Sequence, residues 1–82
     1  MKEENLKRAK DVVNLLETRR RQLEYLDDSY TMMELNLYKD GKGSVNVGHA
    51  IIQKETQNII KIIVGAEVRK QIKDLENELR GL

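Results

Sequence analysis

Cysteine, proline, tryptophan and phenylalanine are absent from this 82-residue chain. Without cysteine there is no disulfide framework, no thiolate zinc site and no thiol nucleophile. Five glycines are the only strong breakers. The aromatic content is three tyrosines, Tyr25, Tyr30 and Tyr38. No uninterrupted apolar run is longer than Ile62-Ile63-Val64, whereas a membrane-spanning helix needs about 20 such residues. Met1-Lys2-Glu3-Glu4 opens a polar stretch without the apolar core of a secretory signal, so a cytoplasmic location and no membrane partner are expected. Charge of one sign is missing too. Residues 1–28 carry seven basic and seven acidic residues, 29–48 two of each, and 49–82 six against five. Non-specific nucleic-acid binders neutralise phosphates with a basic stripe, so nucleic acid is not an expected partner.

What is present divides into three segments of a single domain, 1–82. Residues 2–27 are rich in Leu, Lys, Arg, Glu and Ala and contain no Gly. Leu6, Ala9, Val13, Leu16 and Leu23 follow three-and-four spacing, widened by Val12 and Leu26, which predicts an amphipathic helix. Asp27-Asp28 opposes the negative helix C-terminus and, with Ser29, marks its stop. Residues 31–47 alternate with period two: Met33, Leu35 and Leu37 on one face, Val45 and Val47 resuming after Asp40-Gly41-Lys42-Gly43. A two-residue turn at Asp40-Gly41 would oppose Leu37 with Ser44. A Gly41-Lys42-Gly43 loop opposes it with Val47, and an Asp40-Gly41-Lys42 loop preserves the same parity. Either three-residue loop gives a β-hairpin with one apolar face.

Residues 49–80 predict a second, long helix. Ile52, Ile59, Ile63 and Ala66 make one seam, while Val64, Val68, Ile72, Leu75 and Leu79 make another, rotated from the first. A helix apolar on more than one face must be surrounded, and one partner helix and one hairpin cannot surround it. Gly65-Ala66 adds a small-residue patch open to another backbone. Isolated hairpins are marginal, and small chains compensate for thin cores with disulfides, metals or association. Only association fits this composition. The expected fold is α+β, helix–hairpin–helix (αββα), assembled as a homo-oligomeric helical bundle. Its expected interface is Ile59, Ile60, Ile63, Val64, Gly65, Ala66, Val68 and Ile72, most simply across a twofold axis.

Among polar residues, Arg19-Arg20-Arg21 is the most informative. Arg19 and Arg20 project inside the apolar arc of the first helix, and Arg21 outside it. An arginine there must snorkel or meet an anion. Two readings stand: a phosphate or carboxylate ligand gripped by guanidinium groups, or structural ion pairs with Glu17, Glu24, Asp27 or a partner chain's acid. Tyr25, Tyr30 and Tyr38 lie towards the same end of the chain's first half, where tyrosine could stack a base, or simply rim a small core. His49, the only histidine, has no second base or nucleophile at motif spacing, so general acid–base chemistry is not expected. Asp27, Asp28 and Glu34 lack His or Cys partners for a metal. Asp40-Gly41-Lys42-Gly43-Ser44 is not a phosphate loop, because Gly43 separates Lys42 from Ser44 and a strand follows. No cofactor, metal or catalysis is expected.

The order of helix, hairpin, then Val45-Asn46-Val47-Gly48 leading into an Ile-rich helix resembles small phage-encoded helix–hairpin–helix proteins, including non-enzymatic inhibitors of bacterial immunity. That resemblance implies either a sponge sequestering an anionic nucleotide signal between subunits or an anti-CRISPR-like protein binding a protein target. It assigns no residue. With the residues' own chemistry, the first reading would place Arg19, Arg20 and Arg21 on phosphates and Tyr25, Tyr30 and Tyr38 on bases. The second would use the hairpin edge and Met32-Met33. A purely structural oligomerisation module is the third possibility.

Overall fold

The computed structural model describes residues 2–48 and 50–82, and readings that rest on His49 lie outside them. Helix α1 spans Glu3–Asp27, strands β1 and β2 span Leu35–Lys39 and Gly43–Val47, and helix α2 spans Lys54–Gly81. The chain is therefore α+β, two helices with an antiparallel hairpin between them. Glu3, Glu4 and Glu55 sit in the first helical turns, where a negative charge meets the positive end of the helix dipole. Neither helix has a side-chain N-cap. At the other end of α1, the Asp28 carboxylate accepts from the Tyr30 N–H at 2.8 Å, an Asx turn that directs the chain away from the helix.

The hairpin pairs Leu35 with Val47, Leu37 with Val45 and Lys39 with Gly43, so its loop is Asp40-Gly41-Lys42. Leu37 does not oppose Val47, because the turn closes one residue earlier than a Gly41-Lys42-Gly43 loop requires. The Lys42 N–H donates to the Lys39 carbonyl at 2.9 Å, and Gly41 and Gly43 take φ of 71° and 83°, a region that costs side-chain-bearing residues energy. One face carries Leu35, Leu37, Val45 and Val47. On the other, Asn46 Nδ2 donates to Asn36 Oδ1 at 2.9 Å. Among the described residues neither strand packs against a helix, which leaves Leu37 and Val45 exposed.

The helices are antiparallel: Arg8 meets Glu78, Arg19 meets Gln71, and Asp27 meets Arg69. Their seam on α1 runs through Ala9, Val12, Leu16, Arg19, Leu23 and Leu26. On α2 it runs through Gly65, Val68, Ile72, Leu75 and Leu79. Val12, Leu16 and Val68 are buried in it, and Ile52 is buried in the turn before α2. The molecule measures 50 × 34 × 15 Å, little thicker than one helix with its side chains.

Several sequence expectations need correction here. The second helix begins at Lys54, not at 49, because residues 50–52 form a turn in which Ile51 and Ile52 N–H groups donate to the Gly48 carbonyl. Residues 31–34 precede β1, since their backbone is held by α2. Gly65 and Val68 are buried and Ile72 is half-buried, all on the row facing α1, so these three serve the intramolecular seam and cannot form an exposed interface. Nor does another backbone approach Gly65: the space a Cβ would enter is bounded by Arg69 Nη1 at 3.3 Å, as that side chain reaches Asp27.

The Arg8–Glu78 pair is bidentate, Nε to Oε2 at 2.6 Å and Nη2 to Oε1 at 2.9 Å. The hydrogen bond from Arg8 holds the Glu78 carboxyl below its ordinary value. A carboxyl depressed in the folded state stabilises above its unfolded pKa, and that contribution disappears as pH falls through the folded one. Glu78→Gln is therefore expected to unfold at a slightly lower temperature than the native chain at neutral pH. The gap should close on acidification past the usual carboxylate range. A gap that thermal melts find constant from neutral to acidic pH would refute this assignment.

Candidate functional site

Where α1 ends, the sequence provides no basic residue in the last turn to meet the negative helix end. Lys61 of α2 supplies it. Its Nζ donates to the Asp28 carbonyl at 3.3 Å and also to the Thr31 carbonyl, and the side chain is only 7% exposed. One turn earlier on α2, Gln57 is buried as well. Its Oε1 accepts from the Met33 N–H at 3.2 Å, and its Nε2 donates to the Ile52 carbonyl at 2.7 Å. Gln57 and Lys61, four residues apart on one helical face, thus hold the segment entering the hairpin, and Gln57 also holds the turn leaving it. Sequence reading passed over both. The available signal was their position: they extend the Gly65–Val68 row toward the N-terminus, where apolar residues are expected.

Two open clefts flank this corner. One, of about 340 Å³, is bounded by Leu26, Asp28, Asn58, Lys61 and Arg69; the other, of about 240 Å³, by Tyr30, Met32, Lys54 and Gln57. Both are at or below the lower end of the range for small-molecule sites, roughly 300–1,000 Å³.

The three arginines do not converge. Successive helical residues diverge by about 100°, and each meets a different environment. Arg19 is half-buried in the helix seam, Nε donating to Gln71 Oε1 and Nη1 to Gln22 Oε1, both at 2.9 Å. Its partners are amide oxygens, so none of Glu17, Glu24 and Asp27 neutralises it. Arg20 is exposed, with Nη2 3.6 Å from Glu76 Oε2, and lines a shallow cleft with Glu17, Leu79 and Arg80. Arg21 is exposed and has no hydrogen bond or ion pair among the described residues. Tyr25 is exposed one turn beyond Arg21. Tyr30, 91% exposed, rims the smaller corner cleft, and Tyr38 is exposed on the hairpin face opposite Leu37. One chain alone therefore does not gather the arginines and tyrosines into a single pocket.

The other predicted surface is continuous. Ile59, Ile62 and Ile63 are 57%, 71% and 64% exposed, with Ala66 exposed a turn later and Val64 at the edge. The three isoleucines and Ala66 lie on the side of α2 turned away from Gln57, Lys61, Gly65 and Val68, while Val64 is on the flank next to Gln57 and Val68. Ile60 is half-buried at the flank. Ile62, absent from the expected interface, is the most exposed of the three isoleucines.

Among the described residues, no helix is long and apolar enough to cross a membrane, and no group of three or more His, Cys, Asp or Glu could hold a metal ion. No protein-family model matches the chain, and comparisons with curated proteins and with solved structures find no match.

Proposed function

We propose that this protein is a non-enzymatic, homo-oligomeric binding protein that holds an anionic ligand between subunits. The observation that carries the reading is the exposed Ile59–Ile62–Ile63 stripe on a chain only 15 Å thick, beside a hairpin whose Leu37 and Val45 touch neither helix. A contiguous apolar patch of this kind marks an association surface. The arginine ridge supports the anion. Among the described residues only Arg20 has a carboxylate partner, Glu76 at 3.6 Å, while Arg21 has none and Arg19 is fixed by neutral amides that leave its charge uncompensated. Such groups recognise phosphate and carboxylate oxygens. With the exposed tyrosines as stacking surfaces, the most concrete form is a sponge for an anionic nucleotide, of the kind phages direct against bacterial immunity. A second reading, an inhibitor or adaptor that binds a protein, is favoured by Tyr30 and Met32, exposed together at the rim of the corner cleft.

Native mass spectrometry of the purified protein, followed by calorimetric titration with a cyclic dinucleotide and with ADP-ribose, tests the reading. An oligomer is expected, with binding weakened about tenfold or more by Arg20→Ala combined with Arg21→Ala, as loss of charge-assisted hydrogen bonds requires. A monomer would overturn the oligomeric reading. An oligomer that binds neither probe would overturn the nucleotide ligand and favour the protein-binding reading.

A further inference from the structure

The stripe on α2 has an order that goes beyond apolarity. Glu55, Ile59, Ile62, Ile63, Ala66 and Lys70 are all exposed and, at about 100° per residue, fall within one band of roughly 100° on the face turned from α1. Over residues 55–70 the band is symmetric in spacing, with apolar residues about its centre and opposite charges at its two ends. Ile62 and Ile63 flank its centre, Ile59 and Ala66 are equally far from it, and so are Glu55 and Lys70. Among the described residues, neither Glu55 nor Lys70 makes a side-chain hydrogen bond or ion pair.

We infer that a second copy of this chain occupies the stripe, α2 antiparallel to α2, about a twofold axis crossing the helix between Ile62 and Ile63. This inference rests on the homo-oligomeric reading and specifies its partner and register. In that arrangement Ile62 and Ile63 pack against the same two residues of the partner subunit. Ile59 packs against the partner's Ala66, a large residue over a small one, which lets the helices approach closely. Glu55 lies against the partner's Lys70, and symmetry repeats both contacts at the other end. The contact spans residues 55–70, about 22 Å of helix. Parallel packing of the same stripe would instead set Glu55 against the partner's Glu55 and Lys70 against the partner's Lys70. Like charges opposed in this way disfavour that alternative.

Charge swapping tests the register directly. Sedimentation equilibrium at low salt should find that Glu55→Lys and Lys70→Glu each weaken self-association about tenfold or more, since each replaces two attractions by two repulsions. The double variant should return to within about threefold of the native chain. Circular dichroism on each variant checks that the exposed substitutions leave the helices folded. Because the chain has no cysteine, Ile63→Cys adds an independent readout. Near the axis it should form an intersubunit disulfide under mild oxidation, while Glu55→Cys, far from its own copy, should not. Oligomers that persist unchanged in the single variants, a double variant no better than the singles, or equal cross-linking of both cysteine variants would each overturn the register and leave the oligomeric reading standing. A monomeric native chain at high concentration would overturn both.

Discussion

Replacing Lys61 by alanine is expected to destabilise the fold by about 2–3 kcal/mol, the scale of lost hydrogen bonds to a charged donor. For a chain of this size that corresponds to a fall of roughly 10–20 °C in melting temperature. The reason is positional. Lys61 is buried, its ammonium group donates to the Asp28 and Thr31 carbonyls, and it brings a cation to the backbone at the end of α1, whose own last turn has none. Deleting it removes the donor to the Thr31 carbonyl, leaves the Asp28 carbonyl with the Thr31 N–H alone, and takes a buried cation away from the helix terminus. Lys61→Met separates the contributions, because it keeps most of the apolar stem and removes only the donor. If the methionine variant melts with the native chain, packing of the stem is what matters and the capping role is wrong. A further consequence is local. Because Lys61 and Gln57 hold the hairpin's entry, the alanine variant should speed hydrogen exchange in 35–47 more than in the middle of α1.

Aspartate at both Ile62 and Ile63 is expected to convert the assembly into folded monomers. Burying four carboxylates per twofold interface in place of four isoleucines removes the apolar gain and adds a desolvation cost. The association constant should fall by at least about a thousandfold, since the loss of even one fully buried isoleucine per subunit contributes about 1.5–3 kcal/mol. The monomer should survive, because both side chains are already exposed and neither contributes to the seam with α1. Light scattering at several concentrations with parallel circular dichroism measures both quantities. An assembly indifferent to these substitutions would move the interface elsewhere, to the hairpin face of Leu37 and Val45.

The two interventions act on opposite faces of one helix, and that division organises the molecule. Facing inward, α2 carries Gln57 and Lys61, then Gly65, Val68, Ile72, Leu75 and Leu79. Facing outward, it carries Ile59, Ile62 and Ile63. Two polar residues thus sit inside and three large apolar ones outside, the inverse of ordinary burial. The inward polar residues are explained by the backbone of 28–33, which leaves α1 without joining the sheet and needs partners for its carbonyl and N–H groups. The outward apolar ones are what the proposed self-association would cover.

Local patterns alone determined the order of elements in this protein. Three-and-four spacing from Leu6 to Leu26 specifies α1, period-two alternation around two glycines specifies the hairpin, and the long Ile- and Leu-rich segment specifies α2. Each of these is set by a few neighbouring residues, so it is legible without knowing what packs on what. Two apolar seams on α2 were legible as well. Which seam faces α1 was not, because that depends on the rotation of one helix about its axis, set by contacts between residues far apart in the chain such as Arg8 with Glu78 and Arg69 with Asp27. The same holds for Lys61 and Gln57, polar side chains whose burial follows from backbone groups more than 20 residues away, and for Arg19, whose acceptors proved to be amides and not the nearby acids. Short-range periodicity made the parts, and long-range satisfaction of polar groups and packing of the Val12–Val68 seam decided which face of α2 stays open.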